Sequence, residues 1–395
     1  MSGTAKFIQQ RQEVFRYIPG FDIEAVARAK VMVIGAGALG NEVLKNLALL
    51  NIGYVVIVDF DVVEPSNLSR SVLFREADCD GKTLKSLVAA RRIRELNPSI
   101  KINVINGDIA ADVGLGVFRR MDVIIGCLDN ILARQSVNRA VFKIGKSWID
   151  GGLDDTSGSV ASYRNGHACY ECSLSKSDRE LIRQRFSCPD KIRRYASVGR
   201  MPTTPINASI IGALQVQQAM YEINGITDQD LLGKKLKFFG GINEMLITNM
   251  MEVHEPHCLS NDEYPEIIES DNLRAEMSVG DFLKWARSYF ETENVTLRLD
   301  DEFVTSLMSE QTGAIFTVGI PRLSLDDQYV ERFKQSDEDV IHIKDIVYEV
   351  DDHFPDQLLT LKEIGIPHLH IVNVLVDGDD KYVELTGDEA FLEFT

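Results

Sequence analysis

Residues 31–40 read VMVIGAGALG, an apolar run that leads into a turn with three glycines, Gly35, Gly37 and Gly40. Continuous apolar runs of this kind are typical of strands that are buried on both faces of a parallel sheet. A second run, residues 54–58, ends on Asp59. The pattern predicts a βαβ unit whose glycine turn lies at a helix N-terminus, where free N–H groups and the helix dipole bind phosphate. Asp59 lies where a carboxylate can accept hydrogen bonds from ribose hydroxyls.

Polar residues after the strands distinguish this nucleotide site from that of a dehydrogenase. Four of them follow the second strand: Asp61, Asn67, Arg70 and Lys85. Asp129 follows a further apolar run, residues 123–126. Open α/β sheets bind ligands at the carboxyl ends of their strands. Two cations suit a triphosphate and an aspartate suits Mg²⁺, whereas hydride transfer needs neither, so the set predicts ATP and Mg²⁺.

In this combination the sequence resembles the E1-like adenylating family, which includes the activating enzymes of ubiquitin-like proteins and their molybdopterin- and thiamin-pathway relatives. The matching stretches lie in order within about the first 250 residues: residues 35–40, 59–61, 66–70, Lys85 and residues 127–130. The resemblance implies that Asp59 binds ribose and that Asp129 holds Mg²⁺. It also implies that Arg70 and Lys85 contact the phosphates, with Asp61 and Asn67 in the same nucleotide site.

Two lysines are candidates for the phosphate contact. The segment after Arg70 is longer than is usual in the family, so Lys82 is a rival to Lys85. The Ala-Ala pair at residues 89–90 and the Asn-Pro pair at residues 97–98 align best when Lys85 is chosen. A single cation would more often be a solvated surface residue, and Asp129 alone could cap the following helix. Their joint occurrence behind a glycine turn favours the nucleotide site.

An Arg-Gln pair, Arg11 and Gln12, lies about twenty residues before the first strand. In homodimeric relatives an arginine in this position completes the ATP site of the other subunit. The resemblance therefore implies a homodimer in which Arg11 contributes to catalysis.

The six cysteines must be interpreted with the compartment in mind. The N-terminus lacks the apolar segment of a secretory signal, and no apolar run is long enough to span a bilayer. We therefore expect a cytoplasmic, reducing environment and no membrane partner. In such an environment cysteines act as metal ligands, nucleophiles or core residues rather than as disulfides.

Residues 169–172 read CYEC, a CxxC that is half of a structural zinc site. Relatives complete the site with a second CxxC, but the corresponding region here, residues 254–258, has a single cysteine. The expected zinc ligands are Cys169, Cys172, Cys258 and His254, with His257 as the alternative fourth ligand. A decayed site with an inert CxxC is the competing interpretation.

Cys188 is the predicted nucleophile. Residues 173–204 around it contain eight Lys/Arg and three Asp/Glu, and such surroundings lower a thiol pKa and favour the thiolate. A small buried hydrophobe, the usual role of cysteine, fits poorly in this basic segment. The resemblance implies that residues 173–204 form a crossover loop and that Cys188 carries a thioester.

The net charge differs between the two parts of the chain. Residues 259–395 contain 32 Asp/Glu and 10 Lys/Arg, a net charge of −22, whereas the first 258 residues have a net charge of +4. An acidic segment of this kind disfavours nucleic acid, which needs a basic face, and favours a basic protein partner. We expect an adenylation domain at residues 1–258, an acidic linker at 259–275 and an acidic α+β domain at 276–395. Residues 359–366 resemble the end of the ubiquitin-fold domain that recruits the conjugating enzyme.

The predicted fold class is α/β, a Rossmann-like doubly wound adenylation domain followed by a smaller α+β, ubiquitin-fold-like domain. The predicted function is ATP-dependent adenylation of the C-terminus of a ubiquitin-like protein, thioester formation on Cys188 and transfer to an E2-like conjugating enzyme. The compact layout is similar to activating enzymes encoded beside ubiquitin-like proteins in bacterial operons. An adenylyltransferase that serves a sulfur-carrier protein without a thioester is the main alternative, and an inactive scaffold subunit is a further one.

Overall fold

The computed structural model describes residues 13–174, 203–250, 258, 260 and 263–395. By their internal contacts the residues form two compact units. The N-terminal unit takes its residues from Met1–Ala110, Phe118–Glu263 and Glu393–Thr395, and the C-terminal unit from Ala111–Val117 and Tyr264–Leu392.

One eight-stranded sheet lies in the described part of the N-terminal unit. Its strands are β1 (Lys30–Ile34), β2 (Tyr54–Val58), β3 (Lys101–Ile105), β4 (Val123–Gly126), β5 (Trp148–Leu153), β6 (Ser157–Tyr163), β7 (Lys234–Phe239) and β8 (Glu244–Asn249). Their order is β3-β2-β1-β4-β5-β6-β7-β8. The first five strands in that order run parallel, and β6, β7 and β8 are antiparallel to their neighbours. The strand order reverses between β1 and β4, and the crevice there is the usual ligand position of a doubly wound sheet.

Helices cover this sheet. These helices are α1 (Ile23–Arg28), α2 (Ala38–Leu49), α3 (Lys85–Leu96), and, after a short helix α4 (Leu115–Arg119) that is divided between the two units, α5 (Ile131–Lys143) and α6 (Pro205–Ile223). Short 3-10 turns lie at Glu13–Tyr17, Pro65–Asn67, Glu76–Asp78 and Glu171–Ser173. The longest helix, α6, packs against α2 and across β4, β5 and β6. Thr204 caps it by accepting a hydrogen bond from the Asn207 N–H, and Pro205 occupies its first position, where a missing N–H costs nothing.

The sheet forms because its central strands are apolar on both faces. In β1 and β2 every residue after the first is buried, which is the pattern expected of parallel strands that lie between two helical layers. Residues from α2 and α6 complete one core, which includes Val43, Leu47, Ile211 and Val216. Burial of each such aliphatic side chain contributes about 1.5–3 kcal/mol.

The segment Glu393–Thr395 covers the β3 edge of the same sheet. Thr395 and Ile102 exchange two backbone hydrogen bonds, at 3.1 and 3.2 Å. The Phe394 ring meets the ring of Tyr54 edge-on, with 5.2 Å between centroids. The pairing satisfies backbone groups that an open edge would expose.

The C-terminal unit contains a six-stranded, mostly antiparallel sheet. Its strands are β9 (Ile267–Glu269), β10 (Val295–Ser309), β11 (Ile315–Pro321), β12 (Ile341–Val350), β13 (Ile371–Val376) and β14 (Asp379–Glu384). Five strands follow the order β11-β10-β13-β14-β9, and β12 also pairs with β10. The helices are α7 (Val279–Phe290) and α8 (Asp327–Glu331), with 3-10 turns at Arg322–Ser324 and Thr386–Leu392. The apolar face of α7 enters the core through Val279, Phe282, Leu283 and Ala286.

The predicted fold class is confirmed: a doubly wound α/β sheet precedes a smaller α+β unit. The C-terminal unit takes in part of the expected linker, residues 259–275. Ile267–Glu269 pairs in parallel with β14, and Leu273 and Ala275 are fully buried in its core. The ubiquitin-fold assignment stays a prediction. Among the described residues no helix is both long enough and apolar enough to cross a membrane.

Candidate active site

The glycine turn between β1 and α2 is shaped by close contacts. Gly35 has a φ of +94°, and a Cβ there would lie 2.5 Å from the carbonyl oxygen of Cys127. A Cβ on Gly40 would overlap the carbonyl oxygen of Gly35. Gly37 is the N-cap of α2 and has open space where a Cβ would be. Glycine is therefore sterically required at 35 and 40, while the space at Gly37 leaves room for a ligand over the helix N-terminus.

Asn41, which the sequence analysis did not single out, fixes the shape of this turn. Its fully buried side-chain amide donates to the carbonyl oxygens of Ala36 and Gly37, at 2.7 and 2.9 Å. Its Oδ1 accepts a hydrogen bond from the Leu73 N–H at 2.8 Å. The two carbonyl groups are thereby turned inward, and the segment just after Arg70 is tied to the glycine turn. The sequence signal for this role was the position of Asn41, a polar amide within an apolar helix pattern.

Asp59 lies at the carboxyl end of β2 beside the turn. Its Oδ2 accepts a hydrogen bond from the Ala36 N–H at 2.7 Å, and its Oδ1 accepts one from the Asp61 N–H at 2.8 Å. Burial raises the pKa of the Asp59 carboxyl, and the Ala36 and Asp61 N–H groups and the Lys85 charge oppose that shift. Each oxygen retains a lone pair, so the carboxylate can still accept hydrogen bonds from two hydroxyls of a sugar.

Lys85 is the lysine that the fold brings to Asp59 and Asp61. It is the first residue of α3, is 8% exposed, and places its Nζ 2.6 Å from Asp61 Oδ2. Lys82 is exposed in the turn after Gly81, where its N–H donates to Asp80. The arrangement favours Lys85 over Lys82 as the phosphate contact.

Asn67 and Arg70 lie on the loop that follows β2. Asn67 is buried, and its Oδ1 accepts a hydrogen bond from the Glu64 N–H at 3.0 Å, which closes the 3-10 turn. The Arg70 guanidinium donates to the Ser66 carbonyl oxygen through Nη1 at 3.0 Å. Within the described residues only its Nη1 has a hydrogen-bond partner, so the other N–H groups of this half-buried guanidinium are available to an anion.

Asp129 follows β4, across the crevice from the glycine turn. The cap of α5 is supplied by Asn130, whose Oδ1 accepts a hydrogen bond from the Ala133 N–H at 2.8 Å. The exposed carboxylate of Asp129 makes no hydrogen bond or ion pair within the part of the chain that the structure describes. A carboxylate that is not used as a helix cap fits a Mg²⁺ ligand beside phosphate oxygens.

A buried ion pair, missed at the sequence level, supports the Asp129 loop. Arg134 donates from Nε to Asp150 Oδ1 at 2.9 Å, and from Nη2 to the carbonyl oxygens of Leu128 and Gly151 at 2.5 and 3.0 Å. Burial acts to lower the pKa of Arg134, but the Asp150 carboxylate outweighs it and the pKa is raised. The guanidinium therefore stays charged and holds the loop after β4 against the end of β5.

Gln215 of α6 ties β4 and β5 together from the other side of the sheet. Its fully buried Nε2 donates to the Gly126 carbonyl oxygen at 2.8 Å and to that of Ile149 at 3.3 Å. Cys127 lies beside it, with Sγ 3.8 Å from Gln215 Oε1. Burial, and then the Asp150 charge, raise the pKa of the Cys127 thiol far above its ordinary value. Cys127 packs, partly buried, against the core of the N-terminal unit.

Three of the predicted zinc ligands converge. Cys169 Sγ lies 3.6 Å from Cys172 Sγ and 3.4 Å from Cys258 Sγ. Two sulfurs bound to one tetrahedral zinc at about 2.3 Å would be roughly 3.7 Å apart, whereas a disulfide requires about 2.05 Å. The neighbouring Cys172 thiol raises the pKa of Cys169, an effect that a bound cation would reverse. The spacing fits a metal that these three thiolates would hold.

Side chains of α5 connect the segments that carry the three cysteines. Asn138 of α5 accepts a hydrogen bond from the Tyr170 N–H at 3.0 Å and donates to Ser260 Oγ at 2.8 Å. Arg139 on the same helix pairs with Glu171 at 2.8 Å. Support of this kind orients metal ligands. Four predicted residues lie outside the described residues: Arg11, Cys188, His254 and His257.

Comparison with known proteins gives a consistent result for the N-terminal two thirds. Residues 9–260 match the sequence model of the ThiF family. A sulfur carrier protein adenylyltransferase of Thermus thermophilus is 30% identical over 209 residues, which are 51% of this chain and 72% of the relative. SUMO-activating enzyme subunit 2 of Dictyostelium discoideum is 32% identical over 151 residues, 38% of this chain and 22% of that protein.

Further relatives extend the coverage. The adenylyltransferase and sulfurtransferase MOCS3 of Drosophila willistoni is 27% identical over 250 residues, 60% of this chain and 51% of that protein. The chain therefore spans about half of this relative and a smaller part of the SUMO-activating subunit. The crystal structure of E. coli MccB with succinimide superposes with a TM-score of 0.50 at 23% identity, over 60% of this chain and 68% of MccB. This last likeness is one of fold.

Proposed function

The chain belongs to the ThiF family, and from that premise we propose that it is an ATP-dependent adenylyltransferase that acts on the C-terminal carboxylate of a ubiquitin-like or sulfur-carrier protein. The observation that carries the proposal is the convergence of Asp59, Lys85 and the glycine turn. The Asp59 carboxylate accepts a hydrogen bond from the turn at Ala36, and Lys85 is held by Asp61 two residues further on. A carboxylate that can accept hydrogen bonds from a sugar, a cation that can bind phosphate and a helix N-terminus therefore lie together at one edge of the sheet.

Adenylation needs positioning and charge stabilisation more than covalent chemistry from the protein. A carboxylate oxygen of the partner attacks the α-phosphorus of ATP, and the bond to the bridging oxygen of the β-phosphate breaks. Pyrophosphate leaves with the electron pair, and the partner becomes an acyl-adenylate. Arg70 and Lys85 stabilise the charge that builds on the phosphate oxygens. Bound Mg²⁺, held by Asp129, would supply further neutralisation of those oxygens.

Arg11 completes this proposal in its dimeric form. The expected homodimer would bring Arg11 of each subunit to the ATP bound by the other subunit. A third cation would then face the triphosphate beside Arg70 and Lys85. The sequence resemblance supports this step.

For the second half-reaction we favour a thioester on Cys188. The thiolate would attack the carbonyl carbon of the acyl-adenylate, form the C–S bond and release AMP with the electron pair. The basic composition of residues 173–204 supports this role, because nearby cations stabilise a thiolate. The acidic C-terminal unit would then recruit a conjugating enzyme by binding a basic surface of that enzyme.

A sulfur-transfer adenylyltransferase is the second candidate. It would carry out the same adenylation and deliver the acyl-adenylate to a sulfur donor without a protein thioester. The relation to the Thermus thermophilus sulfur carrier protein adenylyltransferase, of which this chain covers 72%, favours it. The two candidates share the nucleotide site and differ in the acceptor of the acyl group, which is the Cys188 thiolate in the first and a sulfur donor in the second.

A gel assay separates the candidates. The full-length protein is incubated with ATP, Mg²⁺ and candidate ubiquitin-like proteins and is run without reductant, as wild type, Cys188→Ala and the control Cys79→Ala. An adduct that reductant removes and that only Cys188→Ala abolishes would support the thioester route. Partner-dependent pyrophosphate release with no adduct in any variant would support the sulfur-transfer route.

A further inference from the structure

Two lysines of β7 lie in cross-strand register with the active-site end of the sheet. Gly126 of β4 pairs with Asp150 of β5, which pairs with Ala161 of β6, which pairs with Lys235 of β7. Directly opposed residues project to the same face, so Lys235 shares a face with Asp150. Lys237 lies two residues further along β7 and therefore projects to that face as well.

The alternate residues of β7 confirm this orientation. Leu236 and Phe238 are buried in the core cluster that contains Ile211 and Val216 of α6. Lys235 is half-buried and Lys237 is exposed on the opposite face. The antiparallel part of the sheet thus presents a cationic strip on the face away from α6.

The same face also carries two carboxylates. Glu244 of β8 lies opposite Phe239 and therefore projects to the face of Lys237, and the Asp150 charge acts on Lys235. Within the described residues neither Lys235 nor Lys237 has an ion-pair or hydrogen-bond partner for its ammonium group. The carboxylate of Asp150 is taken by Arg134. Burial lowers the pKa of Lys235, while Asp150 raises it and Lys237 and Arg134 lower it. A carboxylate supplied from outside would offset the cost of holding this half-buried charge.

An apolar side chain accompanies the lysines. Leu246 of β8 lies opposite Lys237, and Thr248 lies opposite Lys235. Leu246 is 51% exposed although it lies within a strand. Since opposed residues share a face, Leu246 places one exposed apolar side chain beside the lysines.

The distance from the lysines to the crevice beside β4 determines which residue of a bound partner tail would lie at the lysines. The strip lies three strand steps from β4, which is about 14 Å at roughly 4.8 Å per step. An extended chain covers about 3.3 Å per residue, so about four or five residues connect the crevice beside β4 to the strip. A partner that places its terminal carboxylate in the crevice therefore brings its fifth or sixth residue from the C-terminus to the lysines.

We propose that Lys235 and Lys237 recognise an acidic side chain in the C-terminal tail of the partner protein, about five residues before its end, with Leu246 contacting an apolar neighbour. The inference rests on the proposed adenylation of that C-terminus. It defines the substrate as a protein whose tail is acidic at this position.

Linear peptides test the inference with the full chain. Two fluorescent ten-residue peptides end in Gly-Gly and differ only at the fifth residue from the C-terminus, which is Glu or Gln. Binding is measured by anisotropy, and adenylation by peptide-dependent ATP–pyrophosphate exchange. The variants are Lys235→Gln/Lys237→Gln and the control Lys234→Gln, an exposed lysine that projects to the other side of the same strand.

The wild type and Lys234→Gln should bind the Glu peptide roughly fivefold more tightly than the Gln peptide, the size expected for a partly exposed ion pair. The double variant should bind both peptides equally, and Lys237→Glu should prefer a peptide with Lys at that position. Equal binding of the two peptides by the wild type, a preference that survives in the double variant, or no binding of either peptide would overturn the inference. Charge-dependent binding without exchange would support recognition by the lysines and contradict adenylation. Exchange without a charge preference would support adenylation and contradict recognition by the lysines.

Discussion

The Nζ of Lys85 lies 2.6 Å from Oδ2 of Asp61, and the Lys85 N–H donates to the Asp61 carbonyl oxygen at 2.9 Å. The lysine is thereby held at the start of α3, on the same side as the Asp59 carboxylate. Two contacts to one aspartate fix both the backbone and the ammonium group before any nucleotide binds, and preorganisation of this kind is what charge stabilisation in phosphoryl transfer requires.

Lys85→Ala should lower partner-dependent ATP–pyrophosphate exchange by about 100-fold or more, because a preorganised charge at the transferring phosphate is lost. Lys82→Ala is the matched control and should retain exchange within about twofold, since that side chain is exposed in a turn. The reverse pattern would assign the phosphate contact to Lys82.

Gly40→Ala should lower the free energy of unfolding by about 1–3 kcal/mol and abolish nucleotide binding, because the added Cβ would overlap the Gly35 carbonyl oxygen. Gly37→Ala meets no atom within 4 Å and should leave the unfolding free energy within about 0.5 kcal/mol of wild type. Urea denaturation and nucleotide titration measure both effects. Equal stability of the two variants would contradict the steric account of the turn.

Arg134→Ala should destabilise the N-terminal unit by about 3–5 kcal/mol, because it leaves the Asp150 carboxylate buried without its partner. Replacing both members with apolar residues, as in Arg134→Met/Asp150→Leu, should recover much of that loss in chemical denaturation while nucleotide exchange stays impaired. Arg28→Ala, which breaks an exposed pair with Glu24, should cost less than about 1 kcal/mol. A similar small cost at Arg134 would show that the pair contributes little.

Purified protein should contain about one zinc per chain, as elemental analysis would measure, because three thiols already have the spacing of zinc ligands. Cys172→Ser should lose the metal and lower Tm, and a chelator should do the same to the wild type. Cys79→Ser, outside the cluster, should keep both metal and Tm. A metal-free wild type whose Tm a chelator leaves unchanged would support the inert CxxC instead.

The local geometry of the candidate nucleotide site could be predicted because its parts are close together in sequence. A buried strand, a glycine turn and an aspartate at the next strand end follow one another within residues 31–59, and each has a direct physical signal. The choice between Lys82 and Lys85 was open in the sequence, and the burial of Lys85 beside Asp61 now favours one of them.

The supporting contacts were not predictable, since they join residues that are far apart in the chain. Gln215 reaches the Gly126 carbonyl oxygen across 89 positions, and Asn138 reaches Ser260 across 122. An amide within an apolar helix can be noticed in a sequence, but the distant group to which it bonds cannot be inferred from it. The strand Ile267–Glu269, which lies within the expected linker, was not predicted for a related reason: it is three residues long and gives no periodic pattern.

Partner-dependent ATP–pyrophosphate exchange is the most direct measurement of the proposed adenylation. The full-length protein is given ATP, Mg²⁺, labelled pyrophosphate and a ubiquitin-like or sulfur-carrier protein, either intact or trimmed by its last two residues. Exchange that requires the intact C-terminus and that Lys85→Ala abolishes is the predicted result. Exchange that is indifferent to the trimmed terminus, or that persists undiminished in Lys85→Ala, would contradict adenylation of a protein carboxylate at this site.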